Sequence, residues 1–278
     1  MYVRQSSVFN HNSETLEGFY KRLFAFIDTN EVEKLVYDVR LNGGGNNYNN
    51  PPLIKGLLAR PNINKRGAFY YIIGRNTFSA CQNLTNEIEN YTEAIMIGEA
   101  TAENKNFYGD TSPVVLPKSK IKAYLSFAWW QDMPQWENKD ATIPHFGKEM
   151  TFDEYRNNED PVLDLAMKMD IDNVIIDPMD HFTKLFMAGK MEQLAKDTAR
   201  IVKDPLYAHI PFNKEFNRIG KLLLKQGQYD GALYVYNMTA KLYPDSPEIW
   251  KSFGEALQAA GKVDDAKNAF AKAKQLHK

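Results

Sequence analysis

The spacing of apolar residues changes along the chain, and the change comes near Met169. Before that point, short apolar runs alternate with stripes at helical spacing. Such alternation indicates right-handed βαβ crossovers around a largely parallel sheet. The runs that predict strands are 2–9, 34–39, 68–73 and 94–97, and the stripes that predict helices are 13–29, 52–59 and 79–90.

The rest of this first region is more varied. Residues 112–127 predict two β segments joined by a turn near 118–120, and Asp160-Pro161 opens a short helix that runs through Met169. An irregular stretch carries three tryptophans, which either pack over a sheet edge or form a lid that contacts substrate. They are Trp129, Trp130 and Trp136.

The C-terminal region repeats itself with an offset of 34 residues. Small residues recur where paired helices touch, and large residues recur where they fill the space between helices, which is typical of tetratricopeptide repeats. Coincidental amphipathic helices are the alternative. Phe216, Ile219, Gly220, Leu223, Ala232 and Tyr236 align with Trp250, Phe253, Gly254, Leu257, Ala266 and Phe270.

This alignment predicts repeats at about 213–246 and 247–278. Two repeats rarely bury enough surface alone, so the helical stretch 181–202 is expected to supply a further layer. Aspartates and a proline interrupt the pattern between 171 and 178. We therefore predict an α/β domain at 1–175 and an all-α domain of helical hairpins at 176–278.

Composition narrows the function classes. The chain has 278 residues, of which 44% are hydrophobic and 25% charged, and its net charge of −1 argues against nucleic-acid binding. A single cysteine, Cys81, excludes an internal disulfide and a cysteine-rich zinc site. No apolar run has the roughly 20 residues that a membrane helix needs. No ligand cluster or cofactor fingerprint is present, so no metal and no cofactor are expected.

Two loops carry the candidate chemistry. Residues 42–46 (Asn-Gly-Gly-Gly-Asn) follow one predicted strand, and residues 77–80 (Thr-Phe-Ser-Ala) follow the next. Since the carboxyl ends of parallel strands meet at one edge of a sheet, the loops are expected to converge. Glycines let backbone amides point at an oxyanion, and a serine at a strand-to-helix turn can act as a nucleophile. The alternatives are a tight turn for the glycines and a helix N-cap for Ser79.

Several segments, in the same order, resemble those of the S41 serine peptidases, the family of tail-specific or C-terminal processing proteases. Residues 38–45 are similar to its "D-[LV]-R-x-N-x-G-G" segment, and 77–80 to its "T-x-S-A" nucleophile turn. The resemblance covers about residues 1–169. Further similar segments are 97–101, 108–110, 116–119 and 160–163.

The resemblance implies a crotonase-like α/β core and hydrolysis of a peptide or protein substrate, with Ser79 as nucleophile. By analogy, the amides of Gly43, Gly44, Gly45 and Ala80 form the oxyanion hole. The processing proteases use a lysine about 25 residues after the serine, within "T-x-G-K". Lys105 lies 26 residues after Ser79, but the preceding glycine is replaced by Asn104.

Other candidates for the general base are histidines. The tricorn-like branch uses a histidine before the serine, and here only His11 precedes Ser79, in a polar loop. His145 stands where relatives often carry Pro-Asp. Two acids, Glu99 and Asp110, either orient a base or bind a substrate amine, or are ordinary surface acids.

The resemblance implies that the chain enters the S41-like core late and lacks the usual N-terminal portion, and its first residues lack the apolar stretch of a signal peptide. Family members are often exported, so the compartment stays open. Two functions follow from the sequence. One is a serine peptidase with repeats that bind a protein partner. The other is an inactive S41-like scaffold that binds peptides or proteins.

Overall fold

The computed structural model describes residues 1–136 and 139–277. The chain divides into two compact units, Met1–Asp177 and Pro178–Lys278. In the described residues, the first unit combines a parallel sheet with helices, and the second is helical. A mixed α/β fold with a parallel sheet, followed by a helical segment, is therefore confirmed.

Five strands of the first unit form one parallel sheet in the order β1-β2-β3-β4-β7. Two others pair as an antiparallel ribbon, β5-β6. The short β7 was not predicted, because two residues give no periodic signal. The strands are β1 (Tyr2–Arg4), β2 (Leu35–Asp38), β3 (Phe69–Ile73), β4 (Ile95–Gly98), β5 (Phe107–Val115), β6 (Lys122–Trp130) and β7 (Phe146–Gly147).

The helices of this unit begin and end close to the predicted stripes. The first helix starts at 16 rather than 13, because the Thr15 side chain caps it by accepting a hydrogen bond from the Gly18 amide. A short helix near 152 was not predicted. The helices are α1 (Leu16–Thr29), α2 (Pro51–Leu58), α3 (Ala80–Tyr91), α4 (Phe152–Arg156) and α5 (Pro161–Lys168).

The core lies on both faces of the sheet, because β2, β3 and β4 are buried along their whole length. On one face Tyr37 and Tyr71 stack at 6.2 Å between ring centroids and pack with apolar residues of α1, α2 and α3. Their neighbour Tyr20 donates a hydrogen bond to Gln5 Oε1, as Tyr37 does. The buried hydroxyls of Tyr20 and Tyr37 therefore keep a polar partner.

The second unit consists of antiparallel helix pairs whose small and large residues meet as the repeat pattern predicts. A Cβ on Gly220 would lie 2.5 Å from the ring of Tyr236, and one on Gly254 would lie 2.7 Å from the ring of Phe270. The predicted layer at 181–202 is two helices, separated around Gly189 at φ +67°. The helices are α6 (Pro178–Met187), α7 (Met191–Ile201), α8 (Phe212–Lys225), α9 (Tyr229–Leu242), α10 (Pro247–Ala259) and α11 (Val263–Leu276).

Throughout the described part of the chain, each helix is too short or too polar to span a bilayer.

Candidate active site

The turn between β3 and α3 holds Ser79 in a strained conformation. Its backbone has φ 55° and ψ −128°, a region that residues other than glycine rarely adopt. Neighbouring hydrogen bonds fix the turn: Thr77 Oγ1 donates to the Val39 carbonyl, and the Phe78 amide donates to the Asn42 carbonyl. Strain of this kind costs about 1–3 kcal/mol and persists where surrounding structure enforces it, often at functional sites.

The hydroxyl of Ser79 does not cap α3, although Ser79 occupies the position before the first helical residue. Within the described residues, no side chain or backbone group hydrogen bonds to this hydroxyl. Ser79 is half-buried and lines a cleft of about 300 Å³. The cleft also contains Gly45, Ala80, Phe107 and Trp130. The hydroxyl is therefore placed to meet a molecule that enters the cleft.

The glycine loop lies directly against this turn. Gly44 has φ +99°, and a Cβ there would lie 2.6 Å from Ser79 Cβ and 2.8 Å from the Phe78 carbonyl oxygen. No side chain fits in that space, so glycine is required on both conformational and steric grounds. The two loops meet at the carboxyl ends of β2 and β3, as the sequence predicts.

An N-terminal segment holds the glycine loop from its far side. The Val8 amide donates to the Gly44 carbonyl at 2.8 Å, and the Asn46 amide donates to the Val8 carbonyl at 2.9 Å. A Cβ on Gly45 would lie 2.6 Å from the Val8 backbone. The predicted strand 2–9 thus ends at Arg4, and Val8 instead forms an isolated parallel bridge to Gly45.

The backbone amides of the glycine loop and of Ala80 differ in their hydrogen-bond partners. The Gly44 amide donates to Asn42 Oδ1 at 3.0 Å. In the described residues, the amides of Gly43, Gly45 and Ala80 donate to no protein acceptor. Gly45 and Ala80 line the cleft beside Ser79, so their amides are the two best placed to bind an oxyanion.

An acid that sequence reasoning missed contacts the turn that holds Ser79. Glu103 Oε2 accepts a hydrogen bond from the Ser79 amide at 2.6 Å. Burial raises the pKa of Glu103 to about 7, and the Ser79 amide offsets part of that rise. Glu103 lies two residues before Lys105, within the segment that resembles "T-x-G-K". An acidic residue between Thr101 and Lys105 is the signal that could have identified it.

Lys105 is buried, but its ammonium is bonded elsewhere. It pairs with the Glu89 carboxylate and lies 4.5 Å from the centroid of the Trp136 ring. The described residues contain no hydrogen bond between Lys105 and Ser79. The role of Lys105 as base stays a prediction, one that requires the Glu89 pair to open.

The histidines have other partners in the structure. His145 Nδ1 accepts a hydrogen bond from the Met96 amide of β4 at 2.9 Å. His11 Nδ1 lies 2.8 Å from Ser13 Oγ on the exposed surface. The role of His145 as base stays a prediction.

The two predicted acids, Asp110 and Glu99, lie in different places. Asp110 lines the cleft, has φ +49°, and accepts a hydrogen bond from Trp130 Nε1 at 3.2 Å. Glu99 pairs with Arg75 at 2.8 Å, and its amide donates to the Ile73 carbonyl at the end of β3. Of these two, Asp110 is the one positioned to meet a molecule bound in the cleft.

A charged cluster ties two of the S41-like segments together. Arg40 bonds Asp38 at 2.8 Å and Asp160 at 2.7 Å, using parallel N–H groups. Asp160 also caps α5 by accepting from the Leu163 amide. Burial alone would raise the pKa of Asp160, but the hydrogen bonds from Arg40 and Leu163 outweigh it and lower the pKa. These residues therefore secure the end of β2, where the glycine loop begins.

Comparisons with known proteins give a family match in the second unit. Residues 223–277 match the tetratricopeptide repeat family, which confirms the repeat predicted from the sequence. No curated protein matches the chain.

The solved structures that resemble the chain include S41 peptidases, at low identity. A candidate peptidase from Parabacteroides merdae is 15% identical with a TM-score of 0.42, and the match covers 63% of this chain and 62% of that one. The photosystem II D1 C-terminal processing protease is 18% identical, with a TM-score of 0.35 and coverages of 53% and 42%. A candidate S41 protease from Bacteroides fragilis is 16% identical, with a TM-score of 0.33 and coverages of 58% and 48%. The chain thus spans less than two thirds of each.

Proposed function

We propose that the protein is a serine peptidase of the S41 type, with a crotonase-like core and repeats that bind a protein partner. The observation that supports it best is the convergence of Ser79 with the glycine loop in one cleft. The Ser79 backbone is strained, its hydroxyl does not cap α3, and Gly45 and Ala80 line the same cleft. A nucleophile beside two backbone donors is the arrangement that acyl transfer needs.

In the proposed reaction, Ser79 Oγ attacks the carbonyl carbon of a peptide bond and gives its proton to a general base. The carbonyl oxygen gains negative charge, which the amides of Gly45 and Ala80 stabilise. The C–N bond then breaks, the amine leaves with the proton from the base, and Ser79 is left as an acyl ester. Water attacks the ester carbonyl and gives a proton to the base, the bond to Ser79 Oγ breaks, and the carboxylic acid leaves as the Ser79 hydroxyl is restored. Gly44 contributes differently: its amide is bonded to Asn42, so it keeps the loop in shape.

The proton of the Ser79 hydroxyl needs an acceptor. We assign Glu103 this role ahead of Lys105 and His145, because Glu103 is the titratable group that already contacts residue 79. A base works best when its pKa is near the operating pH, and the pKa of Glu103 is about 7. Lys105 would become the better candidate if substrate separated it from Glu89.

Labelling with a fluorophosphonate probe tests the nucleophile. We expect the wild-type protein to be labelled and Ser79→Ala to remain unlabelled, because the probe phosphonylates an activated serine. Thr77→Ser is a matched control, since it keeps the hydroxyl that bonds Val39 and leaves Ser79 in place. Equal labelling of wild type and Ser79→Ala would end the proposal.

The base is tested separately on the same probe. Glu103→Gln keeps an oxygen that accepts from the Ser79 amide but cannot take a proton, so we expect labelling to fall at least tenfold and to lose its rise through pH 7. Lys105→Met is the comparison. If Lys105→Met lost labelling and Glu103→Gln did not, the base would be the lysine.

A second function has one observation in its favour. The lysine that the processing proteases use is here held by Glu89 and Trp136, which suits an inactive scaffold that binds peptides or proteins. Absence of probe labelling, together with retained binding of an unfolded polypeptide such as fluorescein-labelled casein, would favour this scaffold over the peptidase.

A further inference from the structure

The β5-β6 ribbon exposes an unusual amount of apolar surface. Both strands have nine residues, and most of them are exposed. Among the described strands, neither outer edge of the ribbon pairs with another strand. A two-stranded ribbon is marginally stable alone in water, and exposed edges readily accept a further strand.

One face of the ribbon is largely apolar, although Asp110 and Ser112 fall on the same side by strand alternation. The pairs Tyr108↔Trp129 and Ser112↔Leu125 place alternate residues of both strands on this side. Phe127 is 70% exposed and Tyr108 67%, and the rings of Tyr108 and Trp129 pack 4.5 Å apart between centroids. We call this the apolar face: Tyr108, Val114, Leu125, Phe127 and Trp129.

The base of the ribbon forms a wall of the Ser79 cleft. Phe107, Asp110 and Trp130 all line it. The Trp130 indole lies over Gly109, where a Cβ would be 2.9 Å from the ring, and its N–H bonds the Asp110 carboxylate. A peptide that lies along β6 would therefore reach the cleft at Trp130, the last residue of that strand.

The two outer edges differ in their hydrogen-bonding groups. Pro113 lies within β5 and has no N–H, so that strand lacks one donor. β6 contains no proline and carries most of the apolar face. An incoming strand thus finds a complete set of backbone groups on β6.

We propose that an extended peptide with apolar side chains at alternate positions binds as a third strand on the outer edge of β6 and runs into the Ser79 cleft. The proposal rests on the proposed peptidase function, because it names the form in which that substrate is held. Backbone hydrogen bonds supply affinity, and the apolar face selects the side chains on one side of the peptide. The substrate is therefore an unfolded segment rather than a folded domain.

Binding is measured by fluorescence anisotropy on full-length Ser79→Ala, which cannot cleave. The probe is a fluorescein-labelled peptide of nine residues, the length of β6, with alternating Val and Thr. The control peptide has the same sequence with N-methyl groups at alternate residues, those whose backbone N–H groups would point toward β6. We expect N-methylation to weaken binding at least tenfold, because each methyl group removes a backbone donor. Equal binding of the two peptides would overturn strand addition.

Two substitutions locate the site on one face of the ribbon. We expect Phe127→Ser to weaken peptide binding by about tenfold, since it removes a large apolar contact. Tyr124→Ser is the matched control on the opposite face, where Tyr124 is 63% exposed, and it should bind as Ser79→Ala does. Equal loss in both variants, or in neither, would contradict the proposal.

Further outcomes separate this proposal from the others. The circular dichroism spectrum and urea denaturation midpoint of Phe127→Ser should match those of wild type, which shows that the unit is folded. Peptide binding that depends on Phe127 in a protein that never labels would keep the docking site and end the peptidase proposal. Labelling of Ser79 without peptide binding that depends on Phe127 would keep the peptidase proposal and end the docking site. A wild-type dimer that Phe127→Ser converts to a monomer, seen by sedimentation, would assign the edge to a second copy and overturn the proposal.

Discussion

At the scale of single residues, the site depends on the absence of one methyl group. Gly44 and Ser79 come from different loops, yet a Cβ on Gly44 would fall 2.6 Å from Ser79 Cβ. Neighbouring Gly43 is different: no atom lies within 4 Å of the place where its Cβ would be. A side chain is therefore excluded at Gly44 by contact with Ser79, whereas space for one exists at Gly43.

We expect Gly44→Ala to reduce probe labelling of Ser79 at least tenfold and to lower the free energy of unfolding by about 1–3 kcal/mol. The reason is twofold, since φ is +99° and the added carbon displaces the Ser79 turn. The measurements are probe labelling and urea denaturation.

Gly43→Ala is the matched control for that variant. It adds the same methyl group one residue away into open space, so labelling and stability should stay near wild type. Loss of labelling in both variants would mean that the loop tolerates no side chain for a reason other than contact with Ser79.

Much of this site was predictable, and Glu103 shows why the rest was not. The glycine loop and Ser79 converge because each follows a parallel strand, and strand order can be inferred from βαβ alternation. The contact between Glu103 and the Ser79 amide depends on how the 99–106 loop closes, which no local pattern encodes. The same holds for Lys105, whose partner Glu89 lies on α3.

At the scale of elements, Arg40 joins the end of β2 to the start of α5. Its guanidinium bonds both Asp38 and Asp160, and Asp38 is almost fully buried. Two segments that looked like separate motifs in the sequence are thus parts of one cluster. Their role in the described structure is to position the loop that follows β2.

We expect Arg40→Met to lower the free energy of unfolding by about 3 kcal/mol, because it leaves Asp38 charged, buried and unpaired. Arg40→Met combined with Asp38→Asn should recover part of the loss. Urea denaturation followed by circular dichroism measures both. A single variant as stable as wild type would show that the cluster adds no stability.

Helix pairs in the second unit depend on small residues beneath aromatic rings. A Cβ on Gly254 would lie 2.7 Å from Phe270. We expect Gly254→Ala to cost about 1–3 kcal/mol by overpacking, as judged from thermal unfolding. In the double variant with Phe270→Leu the cost should be less than the sum of the two single changes. Strict additivity would argue that the ring and the glycine do not interact.

At the scale of the whole molecule, the two units follow different rules of assembly. The repeat could be predicted with its register, because each helix pair repeats the same contacts after 34 residues. The α/β unit was predicted in outline, whereas β7 and α4 were missed. Both are too short to show a period: β7 is two residues that pair with β4, and α4 is five residues held by a capping box between Thr151 and Glu154.

Stability should depend on pH through buried acids of the first unit. Burial raises the pKa of Glu103 from 4.5 to about 7, so the folded state binds this proton more tightly than the unfolded state does. The resulting stabilisation is complete below about pH 4.5 and is lost as the pH rises to about 7. Glu103→Gln cannot lose a proton. We therefore expect its stability relative to wild type to increase between pH 5 and 8, by on the order of 1 kcal/mol after allowance for solvent exposure.

The comparison must be made as a difference between the two proteins. Burial and, to a smaller extent, repulsion from Asp132 also raise the pKa of Glu87 to about 7. Glu87 therefore titrates between pH 5 and 8 in both proteins. Subtracting the two urea-derived stability curves removes the Glu87 contribution. Parallel curves from pH 5 to 8 would contradict the assignment to Glu103.

The bridge between Val8 and Gly45 links the first ten residues to the glycine loop, although none of them lines the cleft. Main-chain hydrogen bonds fix one wall of the cleft to this short segment, which is also joined to the sheet through β1 and through Gln5. The segment contacts the glycine loop at two points, because the Val8 amide bonds the Gly44 carbonyl and the Asn42 side chain bonds the Gln5 carbonyl. Displacing residues 5–8 would therefore shift the backbone of the glycine loop.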